Sequence, residues 1–135
     1  VEIKSDKGAI AHSDGDVVLH SLCDALLGAT GLGDIGEYFP DNNPKYKNAD
    51  SREFVRQIMG ILKENGFTLV NLDITIVLER PRLTDYKAFI RESVSALCGL
   101  EIGRVNVKAK SSEKMGFVGR GEGVESFCIC EVEKI

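Results

Sequence analysis

The sequence predicts an α+β domain built on a mixed four-stranded sheet with helices on one face. Three observations carry that prediction. Apolar residues recur at helical spacing in three separate stretches, whereas residues 68–79 alternate with a period of two. The signals run helix, helix, strand, helix, strand, strand, an order that does not alternate as a purely parallel sheet would require. At 135 residues, 43% hydrophobic and 28% charged, the chain has the size and composition of one ordinary globular core, so residues 1–135 are expected to form a single domain.

Val1, Glu2 and Ile3 read as the end of a strand, followed by a polar turn through Ser5, Asp6, Lys7 and Gly8. A domain rarely opens on half a hairpin, so a partner strand is expected upstream. The stretch AHSDGDVVLHSLCD then runs from a polar loop holding His12 into an amphipathic helix, with Ser13 placed to cap it and Asp16 three residues on. Leu19, Leu22, Cys23, Leu26 and Leu27 form its core-facing stripe. Gly28 to Gly36 is glycine-rich, and Phe39-Pro40-Asp41-Asn42-Asn43-Pro44 consists largely of turn residues. Such a segment is either a plain connection or a loop that sets polar groups against a ligand.

Asp50-Ser51-Arg52-Glu53 starts a second helix, with Phe54, Ile58, Ile61 and Leu62 inward and Asn65-Gly66 as its stop. In the period-two run, Leu72, Ile74, Ile76 and Leu78 face one way and Asp73, Thr75 and Val77 the other. Pro81 ends that strand. A third helix is expected from about Asp85 to Leu97, burying Phe89, Ile90, Val94 and Leu97 and closing at Cys98-Gly99. A strand follows over residues 105–110. The last strand, residues 124–132, is apolar on both faces, as expected of a strand covered on both sides. An apolar sheet face away from the helices would need a partner, and oligomerisation would supply one.

A net charge of −4 and a pI near 5.2 exclude a general polyanion binder, so no nucleic-acid partner is expected. No apolar run approaches a membrane span, so no membrane partner is expected either. A small phosphorylated ligand fits, because a metal ion can supply positive charge locally. The four cysteines, Cys23, Cys98, Cys128 and Cys130, form no CxxC pair and read as reduced core thiols of a cytosolic compartment.

Two places carry candidate chemistry. His12, Asp16, His20 and Asp24 are four residues apart, which on a helix makes a slowly drifting polar stripe. It is either a solvated ion-pair face or part of the shell of a divalent metal, and spacing alone does not decide. Ser111-Ser112-Glu113-Lys114 follows a strand, where hydroxyls and amides can meet phosphate oxygens and Glu113 a hard cation. The glycine-rich GFVGRGEG lacks the spacing of a dinucleotide loop.

Three segments together, AHSDGDVVLH, LGDIGEYFPD and SSEKMGFVGRGEG, resemble the 2-C-methyl-D-erythritol 2,4-cyclodiphosphate synthases of the non-mevalonate isoprenoid pathway. The resemblance implies a homotrimer with its sheets packed around a central axis and active sites between neighbouring subunits. It implies a small phosphorylated cytidine substrate, 4-diphosphocytidyl-2-C-methyl-D-erythritol 2-phosphate, whose 2-phosphate attacks the β-phosphorus and expels CMP. The nucleophile is already an anion, so the enzyme has to position two phosphates and screen their charge rather than supply a general base.

By the same resemblance, His20 matches a ligand for Zn²⁺ or another divalent cation, and Glu113 reaches a second cation, Mg²⁺ or Mn²⁺. His12 and Ser13 match a loop on the substrate phosphates, with His12 a transition-state stabiliser. Asp34, Ile35, Gly36, Phe39, Pro40, Asp41, Asn42 and Asn43 match the methylerythritol pocket. Lys110, Ser111, Ser112 and Glu113 match the diphosphate segment, where Ser111 replaces the usual Thr and is expected to share the catalytic role. Leu78 to Thr84, with Arg82 and Leu83, match the cytidine loop, although the family usually has Ala at Leu78 or Glu79 and Lys at Arg82. Phe117 and Arg120 match positions near a central cavity where some members hold an isoprenoid diphosphate.

The chain departs from the family in one large respect. The family's first strand carries an Asp-x-His that supplies two of three protein zinc ligands, and this sequence begins after it. The domain is therefore expected to lack its first strand, either because upstream residues are omitted or because the chain is a truncated, catalytically impaired scaffold that binds nucleotide or isoprenoid diphosphate. The compartment implied is a bacterial cytoplasm or a plastid-type organelle.

Overall fold

The period-two run becomes the central strand. The computed structural model describes residues 8–40, 50–78, 87–111 and 124–135, with side chains from residue 17 onward. Strand β1 (Phe67–Val77) lies between β2 (Val105–Lys110), which runs parallel to it, and β3 (Glu125–Lys134), which runs antiparallel. The sheet is mixed, as expected. Among the described residues it has three strands rather than four, since Val1 to Ile3 lie outside them.

Helix α1 spans Gly8–Thr30, so it starts earlier than the capping pattern at Ser13 suggested and takes His12 and Ser13 into the helix instead of a preceding loop. Nothing in Ala9-Ile10-Ala11 interrupts a helix, and Ala is the strongest helix former. At the other end α1 runs through Gly28 and stops only at Gly31, whose φ of +71° suits a residue without a side chain. Leu32 N–H donates to the Leu27 carbonyl at 3.0 Å and the Thr30 hydroxyl to Leu26 at 2.9 Å, which closes the last turn. The first three residues of the glycine-rich segment are thus helix. Its end opens a one-turn helix α2 (Ile35–Tyr38) where turn residues suggest a loop.

Helix α3 (Ser51–Glu64) begins where its cap pattern placed it: the Asp50 carboxylate accepts from Arg52 N–H at 2.9 Å. Hydrogen bonds from the Arg52 side chain and amide hold the Asp50 carboxyl down to about 2. Val55 joins Phe54, Ile58 and Leu62 inside, while Ile61 is only half-buried. Helix α4 (Lys87–Cys98) bridges the parallel strands β1 and β2, the kind of crossover a parallel pair requires. It buries Ile90, Val94 and Cys98 at four-residue spacing, whereas Phe89 is 57% exposed rather than inward. One residue off that stripe is a rotation of about 100°, enough to carry Phe89 away from the core.

Leu22, Leu26 and Leu27 of α1, Val55, Ile58 and Leu62 of α3, and Ile74 and Ile76 of β1 are fully enclosed between the helices and one sheet face. Cys23 and Cys98 are buried with them, and Cys128 and Cys130 point the same way from β3. Burial pushes the thiols of Cys23, Cys98 and Cys128 up to about 12, in keeping with their reading as small core hydrophobes. Within the single chain, the described residues cover β3 on one side. Phe127 and Ile129 on its far side are 57% and 74% exposed, because the described helices pack on the other face.

Candidate functional site

Three helices converge around His20. It projects from the exposed side of α1, and its Nε2 lies 3.4 Å from the hydroxyl of Ser51 in the first turn of α3. One turn further along α3, the Phe54 ring stands 6.4 Å from the imidazole. Phe54 in turn stacks on Phe39 with ring centroids 4.2 Å apart and planes 19° from parallel. Phe39, just after α2, is thereby buried, and it ties the end of the α2 segment to the floor beneath His20.

Asp34, Ile35 and Gly36 sit beside this floor in a fixed turn. Gly33 at φ +104° swings the chain into α2, a backbone conformation that a residue with a side chain adopts only under strain. The Asp34 carboxylate caps α2 by accepting from Glu37 N–H at 3.0 Å, and Asp24 accepts from Ile35 N–H at 3.2 Å. The Tyr38 hydroxyl donates to the Leu32 carbonyl at 2.7 Å and closes the turn across its base. A loop tied down in this way can present polar groups in one geometry.

Asp24 belonged to the polar stripe read as ion-pair face or metal shell, and the structure gives it a third role as the anchor of α2. The sequence reading missed Ser51 and Tyr38. Ser51 was hidden inside a cap pattern, and only its distance in space from His20 marks it out.

Lys110 and Ser111 form a second locality. They stand at the end of β2, where Lys110 carbonyl accepts from Leu78 N–H at 3.0 Å, so the residues leaving β1 and β2 emerge side by side. Pro40 closes the first described segment. Asp41, Asn42, Asn43, Arg82, Leu83, Ser112, Glu113, Phe117 and Arg120 lie outside the described residues, as do the side chains of His12, Ser13 and Asp16. Among the described residues no three His, Cys, Asp or Glu side chains converge as a metal cage would need. His20 fits as one ligand of such a cage, an exposed imidazole with one nitrogen already held by a neighbour.

These features define a class: a small α+β domain whose candidate ligand-facing residues come from an exposed helix stripe, a capped turn and the ends of parallel strands. The chain belongs to the YgbB family, whose profile it matches over residues 1–133. It is 48% identical over 129 residues to the 2-C-methyl-D-erythritol 2,4-cyclodiphosphate synthase of Nitrosococcus oceani, covering 96% of this chain and 82% of that one. It is 53% identical over 124 residues to the bifunctional enzyme IspD/IspF of Sulfurimonas denitrificans, covering 92% of this chain but spanning only 32% of that longer protein. Among solved structures, IspF of Plasmodium falciparum in a CDP complex superposes with a TM-score of 0.78 at 29% identity, covering 91% of this chain and 74% of that one. The family resemblance read from the three loop segments is therefore correct.

Proposed function

We propose that this chain converts 4-diphosphocytidyl-2-C-methyl-D-erythritol 2-phosphate to 2-C-methyl-D-erythritol 2,4-cyclodiphosphate with release of CMP, as a cyclising phosphorus–oxygen lyase of isoprenoid precursor synthesis. The observation that carries the reading is the family match across residues 1–133, which takes in every segment the resemblance had used. The related fold in a CDP complex supports a cytidine nucleotide as the leaving part of the substrate. The working unit is a homotrimer with active sites between subunits, a reading supported by the bare apolar residues Phe127 and Ile129 on the sheet. A bacterial cytoplasm or a plastid-type organelle is the proposed compartment; no helix among the described residues is long and apolar enough to cross a membrane.

In this reading the turn of Asp34, Ile35 and Gly36, with Phe39 and Pro40, receives the methylerythritol part, and the fixed α2 geometry orients its 2-phosphate. Lys110 and Ser111 take the diphosphate from the strand ends, where an ammonium and a hydroxyl can donate to its oxygens. His12 stabilises the transition state. His20 would hold zinc or another divalent cation and Glu113 a magnesium or manganese ion, and bound cations would supply the positive charge that lets two phosphates approach.

The test is to follow purified protein and substrate by ³¹P NMR while assaying CMP. CMP and cyclic diphosphate in equal amounts are expected. CMP released without ring closure, or no turnover at all, overturns the activity. His20→Ala should abolish turnover while the circular dichroism spectrum stays that of the parent; full activity with unchanged metal content would remove His20 from the site.

A further inference from the structure

We infer that Ser51 is the positioning residue of His20: its hydroxyl accepts the Nε2–H and so fixes Nδ1 as the nitrogen offered to a cation. The inference rests on the reading of His20 as a metal ligand and deepens it. Ser51 is 4% exposed, the one buried polar side chain among the described residues. Its place is set by the backbone, because the Asp50 cap and the Glu53 N–H bond to the Asp50 carbonyl at 2.9 Å lock the first turn of α3. From that turn two groups three residues apart reach the same imidazole, the Ser51 hydroxyl at 3.4 Å from Nε2 and the Phe54 ring at 6.4 Å between centroids. Phe54 is itself held by its stack on Phe39.

The orientation follows by elimination. Nε2 faces a buried hydroxyl, while the His20 residue as a whole is exposed. A cation needs a nitrogen lone pair that it can approach, which leaves Nδ1. Nδ1 can offer its lone pair only if the neutral ring carries its proton on Nε2, and that proton then points at Ser51 Oγ. A hydrogen bond on the second ring nitrogen is the usual way in which a protein fixes the tautomer and plane of a ligating histidine.

The chain has two histidines, so ¹⁵N histidine NMR resolves His20 once a His12→Asn variant has assigned the other signal pair. In metal-free protein, with the ring neutral, the His20 signals should be those of the Nε2–H tautomer, and zinc should move Nδ1. Ser51→Ala should mix the tautomers and weaken zinc binding, measured against a competing chelator, by roughly tenfold to a hundredfold, the usual cost of losing such a partner. Ser51→Thr, which restores a hydroxyl, should recover both. A Ser51→Ala protein with the parent's tautomer and zinc affinity overturns the inference, as does zinc bound through Nε2. Zinc that moves neither nitrogen overturns instead the reading of His20 as a ligand, while the tautomers of parent and variant still judge whether Ser51 holds the ring.

Discussion

The two faces of the sheet obey different rules. Toward the helices, β1 presents Leu72, Ile74 and Ile76, followed by Leu78 just past its end, all buried. On the far face the same strand presents Asp73 and Thr75, and the register places Ile129 beside Asp73 and Phe127 beside Thr75. On the β2 side that face is polar, with Lys108 Nζ 2.7 Å and Asn106 Nδ2 2.9 Å from the Asp73 carboxylate; on the β3 side Phe127 and Ile129 stand exposed at its centre. One face is explained by the chain's own helices. Phe127 and Ile129 on the other find no cover among the described residues, and in the proposed trimer that cover is a second copy.

The largest effect should come from charging the bare face. Phe127→Asp combined with Ile129→Asp puts two carboxylates where a neighbouring sheet would pack, while leaving the helix-facing residues untouched. Light scattering should show the mass fall from three chains to one, and turnover should go with it, because the proposed sites lie between subunits. A trimer that survives both substitutions would place the interface elsewhere and leave the face without a role.

Truncation separates the two faces more finely. Ile74 has no exposed surface, so Ile74→Ala should cost about 2–5 kcal/mol in urea unfolding, from lost burial and the cavity left behind. Ile129→Ala, at 74% exposure in the single chain, should change the stability of a dissociated chain by no more than about 0.5 kcal/mol. Measured again at concentrations where the trimer forms, Ile129→Ala should become costly while Ile74→Ala stays put. A cost for Ile129→Ala that does not vary with protein concentration would mean that the face is covered within one chain.

The same contrast separates what was legible in the sequence from what was not. The strand at residues 105–110 was found at its observed bounds, and β1 within two residues of its ends, because alternation records a face that is covered beside one that is not. Strand β3 was found within two residues of its ends, but Phe127-Cys128-Ile129-Cys130 is apolar throughout, and a sequence does not say whether the cover comes from its own helices or from another molecule. At the site, Asp50 could be picked out as part of a cap pattern and His20 and Asp24 as members of a polar stripe, whereas Asp34 was marked by the family resemblance alone. The contacts that Ser51 and Asp24 make could not be read this way, because their partners lie 31 residues and 11 residues away and are brought near only by the packing of α1 against α3 and α2. Phe89 failed for a geometric reason: Phe89 and Ile90 are adjacent apolar residues about 100° apart on the helix, and the buried stripe of Ile90, Val94 and Cys98 takes only the second.

The smallest effect tests the polar half of the open face. The Asp73 carboxyl is held below the usual carboxylate range, chiefly by the Lys108 hydrogen bond and further by Asn106. A lowered native value means that the unfolded chain takes up this proton at higher pH than the folded one. The stabilisation is therefore complete above the ordinary value of 3.8 and disappears as pH falls through the lower native value. In a dissociated chain Asp73→Asn should cost roughly 0.2–1 kcal/mol at pH 7, the range of solvent-screened pairs, and the gap from the parent should close in acid. In the trimer the loss should be larger, because a covered Lys108 without its partner is a desolvated charge. Urea midpoints at both pH values, above and below the association threshold, decide the matter: a gap that ignores pH would mean that Asp73 acts through its neutral hydrogen bonds, and one that ignores concentration would leave this half of the face in water.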